Sequence, residues 1–251
     1  MKQRVEKMKQ EMQDVVENNI LRFWMDQMMD CEHGGFCPRL RAVADLVEPG
    51  LPALDVGTDH AYLPVRLVKE GVCPSAAAVD IRVSPLENAR KNVEKSGLSD
   101  RIDLWLGDGL SGVEPGRFGT VIIAGMGGEL IADIIASSAL ARDRGTVFVL
   151  QPMTRSCELR KYLCENGFTI TRETAVADSG RDYLCVRAVY TGDTSRSGDL
   201  RFYHTGLLES VGNDAARSLL KKEKGIILAR LRGLPSGSRE AIALTEVYDS
   251  I

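Results

Sequence analysis

Three aspartates recur at intervals that suit a ligand held along one edge of a sheet. Asp55 lies in Leu54-Asp55-Val56-Gly57-Thr58-Asp59-His60-Ala61-Tyr62-Leu63-Pro64, Asp80 in Val79-Asp80-Ile81, and Asp108 in Leu106-Gly107-Asp108-Gly109-Leu110. Each closes a short β-type run, and open α/β sheets bind ligands at the carboxyl ends of their strands. Gly57 lets the backbone come close to such a ligand, and Thr58, Asp59 and His60 follow it. Only one glycine of the G-x-G-x-x-G dinucleotide fingerprint is present, and Asp59 would repel a pyrophosphate. The pattern therefore favours a positively charged ligand over NAD. Asp80, with Ile81 beside it, is placed to accept hydrogen bonds from a ribose hydroxyl. Asp108 and Gly109 suit an adenine amino group. Any one of these acids is equally well explained as a turn cap, whereas three at successive strand ends point to a ligand site.

Two further strand ends carry unusual residues. Ala124-Gly125-Met126-Gly127-Gly128 leaves an open backbone next to the expected ligand, and Gln151-Pro152-Met153 closes the following strand, ahead of Arg155 and Arg160. In contrast, Cys31-Glu-His33-Gly-Gly-Phe-Cys37 has the wrong spacing for structural zinc, which uses two to four intervening residues and four ligands. A glycine loop is expected there, and no metal.

The elements that must position these residues follow from hydrophobic period. Strands are expected at Leu51–Val56, Ala76–Ile81, Ile102–Leu106, Thr120–Ala124 and Thr146–Gln151, with helices at about 60–70, 84–96, 128–138 and 155–166 between them. Alternation of this kind gives a parallel sheet with right-handed crossovers. Residues 168–177 and 183–191 are both β-like with no room for a helix between them, so an antiparallel hairpin is expected. Five parallel strands followed by an antiparallel pair resembles, in architecture, a class I S-adenosylmethionine (SAM)-dependent methyltransferase: α/β, Rossmann-like, a seven-stranded sheet with an antiparallel last strand. SAM carries a sulfonium and an ammonium, which acidic side chains suit. Residues 192–198 read as a linker. Beyond it, 199–233 and Arg239–Tyr248 read as helical, in a tail too small to bury a core of its own. At the other end, residues 1–30 carry apolar residues at helical spacing, for packing on the body or on a second copy, with an RNA-contacting arm as the alternative. The expected organisation is a helical extension (1–37), a SAM-binding domain (38–191) and a helical C-terminal domain (199–251).

Composition limits the alternatives. The 251 residues are 44% hydrophobic with a formal charge of −3, which excludes a uniformly basic nucleic-acid coat, and the sequence contains no run long enough to span a bilayer. Six cysteines and a charged N-terminus point to free thiols in a cytoplasmic protein. The charge is unevenly spread: residues 48–135 hold 8 Lys/Arg against 13 Asp/Glu, and residues 199–234 hold 7 against 4, including Lys221, Lys222 and Lys224. An acidic cleft beside basic elements suits a cationic cofactor and an anionic substrate.

Asp-Val-Gly-Thr-Asp-His-Ala-Tyr-Leu-Pro, Gly-Asp-Gly-Leu, Ala-Gly-Met-Gly-Gly-Glu-Leu-Ile and Gln-Pro-Met followed by Leu-Arg-x-x-Leu together resemble the bacterial tRNA (adenine-22-N1)-methyltransferase family, over roughly residues 38–235. The resemblance implies SAM as cofactor, tRNA as partner, and a C-terminal helical, coiled-coil-like domain. It implies a cofactor site of Asp55, Gly57, Thr58, Asp59, His60, Asp80, Ile81, Asp108, Gly109 and Ala124 to Gly128. Asp59 and His60 then either handle a proton or only shape the pocket, and Tyr62 contacts the target base. RNA contacts are expected from Arg39, Arg41, Gln151, Pro152, Met153, Arg155, Arg160, Lys221, Lys222 and Lys224. The family start resembles Leu40-Arg41-Ala42-Val43-Ala44, so the first 30 or so residues have no counterpart. A monomer and a dimer through the N-terminal helix are both compatible with this. A methyltransferase of small molecules or proteins, and a non-catalytic SAM-binding module, remain as alternatives.

Overall fold

Short apolar runs become strands buried along their whole length. β1 (Ala53–Val56) and β2 (Ala76–Asp80) are inaccessible from end to end, as strands must be when helices cover both faces. The structure, a computed structural model, describes residues 36–251. The helix expected over 1–30, and Cys31 and His33 of the glycine loop, lie outside the described residues. β3 (Ile102–Leu106), β4 (Thr120–Gly127), β5 (Val147–Thr154), β6 (Phe168–Asp178) and β7 (Arg181–Tyr190) complete one seven-stranded sheet in the order β3-β2-β1-β4-β5-β7-β6. Pairing is parallel from β3 through β5, and β7 runs antiparallel to both β5 and β6. The strand order reverses between β1 and β4, which opens a crevice at their carboxyl ends.

Helices α1 (Pro38–Ala44), α2 (Tyr62–Lys69), α3 (Val83–Lys95), α4 (Gly128–Ala136) and α5 (Ser156–Glu165) flank the sheet. Side chains two apart on a strand share a face. Leu54 and Val56 thus pack with Val121, Ile123, Phe148 and Leu150 against Ile131 and Ile135 of α4 and Leu159 and Leu163 of α5. Ala76 and Ala78 face the other way, onto Val68 of α2 and Ala89 and Val93 of α3.

Two features depart from the expected outline. β4 and β5 run on to Gly127 and Thr154, past Ala124 and Gln151, with register shifts around Met126. Gly125 adopts φ +80 there, a backbone conformation that glycine takes at little cost. The second departure is the tail. Helices α6 (Leu200–Thr205), α7 (Leu208–Val211), α8 (Asp214–Leu231) and α9 (Arg239–Ser250) replace one long helical run and one short one. Gly206 and Gly212, both at positive φ, make the breaks. The tail is not a free appendage, because Phe202, Tyr203, Leu208, Ala215 and Ala216 belong to the same core as the sheet. Only Ile227, Leu244 and Val247, between α8 and α9, form a small cluster of their own. Among the described residues, no helix is long and apolar enough to cross a membrane.

Candidate functional site

The crevice between β1 and β4 gathers the residues that the sequence singled out. Gly57 turns the chain at φ +75, and the N–H groups of Gly57 and Thr58 donate to the Val79 carbonyl at 2.8 and 3.3 Å. A Cβ on Gly57 would run into Cε of Met126, so the glycine and the methionine face each other across the strand-order reversal. Thr58 is buried and its Oγ1 accepts from the Ala61 N–H at 3.0 Å. That bond helps hold Ala61 at φ 52, a left-handed conformation that costs a non-glycine residue roughly 1–2 kcal/mol.

Asp55 and Asp80 are both buried at the strand ends. Asp80 Oδ1 accepts from the Arg82 N–H at 2.8 Å, and Arg82 Nε lies 3.5 Å away on the same oxygen. Burial pushes the Asp55 carboxyl up to about 6; a hydrogen bond with Thr58 opposes the shift and the charge of Asp80 adds to it. Ile81, which follows β2, and Leu106, the last residue of β3, are 64% and 58% exposed. Asp108 is exposed, and Gly109 sits at φ 55. Two buried carboxylates, a close-approach glycine and two bare apolar side chains fit a cofactor with cationic, sugar and adenine parts. Asp55 to His60 would flank its cationic end, Asp80 its ribose, and Ile81, Leu106 and Asp108 its base. Such a cofactor supplies an electrophilic methyl group.

The Asp55 shift carries a pH signature. A carboxyl whose folded pKa lies above its ordinary 3.8 adds stability that is complete below that value and is lost as pH rises through about 6. A cationic ligand prefers the ionised form, so SAM affinity should rise as pH climbs through the same window. Titration calorimetry at about pH 5 and pH 7.5 should find roughly tenfold tighter binding at the higher pH, since one unit of pKa shift is worth about 1.4 kcal/mol. Asp55→Asn should flatten the profile, and an equal slope in that variant would rule Asp55 out as the source.

At the mouth, His60 Nε2 is shielded from solvent and lies 3.4 Å from Asp59 Oδ2, outside hydrogen-bond geometry. Tyr62 stacks on the His60 ring at 5.2 Å and 25°, and Asn92 Nδ2 donates to the His60 carbonyl at 2.8 Å. The three residues named for the reacting end therefore do come together.

On β5, the structure buries a residue that the sequence reading expected at a contact to RNA. Gln151 is fully buried. Its Oε1 accepts from the Gly125 N–H at 3.2 Å and from Arg39 Nη1 at 2.9 Å, and its Nε2 donates to the Pro152 carbonyl at 3.1 Å and Met153 Sδ at 3.5 Å. It fastens the bulged end of β4 to β5, and all its hydrogen-bonding groups are engaged within the protein. Arg39 is likewise buried, with its guanidinium on Gln151 and 5.7 Å from the Tyr183 ring and its backbone N–H on Asp178 Oδ2. Neither is a surface contact for RNA, and buried Pro152 is not one either. At Gly128, a Cβ would strike the Arg155 carbonyl, so the start of α4 rests directly on the start of α5.

Arg160 departs furthest from expectation. It is a buried ion pair, not a phosphate contact: Nε and Nη2 donate to the two oxygens of Glu173 at 2.7 and 3.2 Å, and Nη1 donates to the carbonyls of His204 and Tyr203. Arg41 and Arg155 remain exposed. Lys221 and Lys222 project from α8 into solvent, while the Lys224 ammonium sits 4.6 Å over the Tyr248 ring. One cluster went unnoticed in the sequence: Cys157, His204 and Glu223, which come together from α5, α6 and α8.

Comparison with known proteins agrees with this geometry. A methyltransferase-domain family matches residues 36–186. The tRNA (adenine(22)-N(1))-methyltransferase of Bacillus subtilis is 30% identical over 192 residues, 76% of this chain and 78% of that one. The crystal structure of the B. subtilis M1A22 tRNA methyltransferase TrmK superposes with a TM-score of 0.73 at 26% identity, covering 86% of this chain and 98% of the other. A Streptococcus pneumoniae protein solved in complex with S-adenosyl-L-methionine gives 0.70 at 33% identity, covering 84% and 98%. With the family match over more than half its length and a relative matched over three-quarters of both chains, this chain belongs to the tRNA (adenine(22)-N(1))-methyltransferase family.

Proposed function

We propose that this chain transfers the methyl group of SAM to N1 of adenine 22 in tRNA. The observation that carries the reading is the match to the B. subtilis enzyme across 76% of the chain; the methyltransferase-domain match, over residues 36–186, includes the carboxylate-lined crevice. Adenine N1 is already a lone-pair nucleophile, so the chain's main task is to place that atom in line with the methyl carbon. As the N–C bond forms and the S–C bond breaks, positive charge appears on the base. Asp59 and His60 at the mouth keep N1 unprotonated beforehand or accept the N6 proton afterwards, and Tyr62 offers a ring face to the base. Gln151 acts as a positioning residue, through Gly125. N1 lies on the Watson–Crick edge, so a paired target must be exposed first, at a cost of a few kcal/mol.

Primer extension on tRNA incubated with the protein and SAM should stop at the modified adenine. Absence of a stop across a whole tRNA pool would exclude the activity. Phosphate contacts from exposed Arg41, Arg155, Lys221 and Lys222 supply the binding energy that exposure of the base consumes. Replacing Lys221 and Lys222 together with alanine, leaving the Tyr248-engaged Lys224 in place, should raise the KM for tRNA several-fold. The log–log salt slope should fall by about 1–2, since each lost phosphate contact removes a little under one unit. SAM affinity should not change. A KM and salt slope equal to wild type would take α8 out of the recognition surface.

A further inference from the structure

Outside the crevice, Cys157 near the start of α5, His204 in α6 and Glu223 in α8 bring a thiol, an imidazole and a carboxylate together, their ligating atoms all within 4.8 Å of one another. His204 Nδ1 lies 2.7 Å from Glu223 Oε1, and Cys157 Sγ lies 3.7 Å from His204 Nε2. A carboxylate accepts hydrogen bonds, so the neutral tautomer matched to this contact has its proton on Nδ1 and its Nε2 lone pair toward the sulfur.

Two chemistries use a thiol beside an imidazole that a carboxylate orients. One is a nucleophilic cysteine, which requires a readily formed thiolate. Burial opposes that here, and the charges of Glu223 and Glu158 add to it, against the smaller opposing effects of Arg160 and Arg230; the thiol is pushed up to about 12. A divalent cation binds a cysteine with displacement of its proton. The geometry agrees. Sulfur and nitrogen bound tetrahedrally to one zinc ion, at about 2.3 and 2.05 Å, stand about 3.6 Å apart, close to the 3.7 Å found. A carboxylate on the remote imidazole nitrogen is the usual outer support of a metal-bound histidine.

We propose that Cys157 Sγ and His204 Nε2 form a binding site for a borderline-soft divalent ion of the zinc type, with Glu223 holding the His204 ring and exogenous ligands filling the remaining positions. The ion clips α6 of the tail onto α5 of the methyltransferase sheet. These are different residues from Cys31 and Cys37, whose spacing argued against zinc.

The test uses the full-length protein, freed of metal with a chelator and titrated anaerobically with Co2+. The site predicts a thiolate-to-Co2+ charge-transfer absorption that saturates at one equivalent, and displacement of that band by Zn2+. The band should vanish in Cys157→Ala and persist in Cys31→Ser/Cys37→Ser. Glu223→Gln should retain the band and weaken affinity about 10–100-fold, the usual cost of losing an outer-shell partner. SAM affinity, measured by calorimetry, should stay within twofold of wild type in Cys157→Ala, which verifies its fold. No thiolate band in the wild-type protein, a band only at large metal excess, or a band that survives in Cys157→Ala would each overturn the assignment. The first two outcomes do not depend on any variant folding.

Discussion

Arg160→Met should lower the free energy of unfolding by about 3–5 kcal/mol, the range for removing one partner of a buried ion pair. The size follows from the surroundings. Both side chains are inaccessible, at 1% and 0% exposure, so Glu173 would keep a desolvated charge with no cation beside it. The loss would spread, because Arg160 also satisfies the carbonyls of Tyr203 and His204, while Glu173 Oε2 accepts from the Leu207 N–H at 2.8 Å. Gly206 shows how tightly the pair is wrapped, since a Cβ there would collide with both side chains. Urea unfolding monitored by circular dichroism should show a lower midpoint with the slope unchanged. The double variant Arg160→Met/Glu173→Leu should recover much of the loss, because it removes the stranded charge along with its partner. A single variant that loses under about 1 kcal/mol would place the stability of this junction in its apolar contacts instead.

Asp80→Ala should weaken SAM binding by about 10- to 100-fold, the equivalent of a charge-assisted hydrogen bond worth roughly 1.5–3 kcal/mol. The carboxylate is buried at the carboxyl end of β2, and one oxygen is already committed to the Arg82 N–H. The variant therefore removes both a ligand acceptor and a local anchor. Asp80→Asn separates the two: it keeps an oxygen for Arg82 and loses the charge, so its affinity should fall between those of wild type and the alanine variant. Removing the Asp80 charge also lowers the Asp55 pKa, since that charge contributes to the upward shift. The pH midpoint for SAM binding should accordingly move down in Asp80→Asn. Calorimetry reads both effects, and unchanged SAM affinity in Asp80→Ala would remove this residue from the cofactor site.

Much of this fold was legible because its signals are local. Apolar runs of four or five residues, glycines at helix ends and a helix-free gap before residue 183 give the order of elements and the hairpin. Asp55, Asp80 and Asp108 were legible for the same reason, since strand ends can be read from pattern and their side chains face whatever lies beyond. The missed features depend on long-range partners. Gly125-Met126-Gly127 and Pro152-Met153-Thr154 look like loop sequence, and what fastens the two strand ends together is the Gln151 side-chain oxygen accepting from a glycine N–H 26 residues away. Arg160 has the composition of a phosphate contact, and only its pairing with Glu173 across the fold identifies it as an interior charge. The tail was read as a helical appendage too small for a core of its own, and the long-range contacts that bring Phe202, Tyr203, Leu208, Ala215 and Ala216 into the core of the sheet have no local signal. Cys157, His204 and Glu223 are spaced 47 and 19 residues apart, far beyond any recognisable ligand spacing.

Asn213 has a consequence for how this chain can be divided. Its side-chain oxygen caps α8 by accepting from the Ala216 N–H at 2.8 Å, while its amide nitrogen donates to the Ala175 carbonyl of β6 at the same distance. One side chain thus starts a helix of the tail and completes an edge of the sheet. A cut in the linker at 192–198 would leave α8 its cap but take the Asn213 bond from the Ala175 carbonyl, opening the flank of the sheet at β6. A tail exchanged between relatives would therefore have to fit β6 through Asn213 and α5 through the Arg160 contacts to the Tyr203 and His204 carbonyls, inside what the sequence presents as one domain.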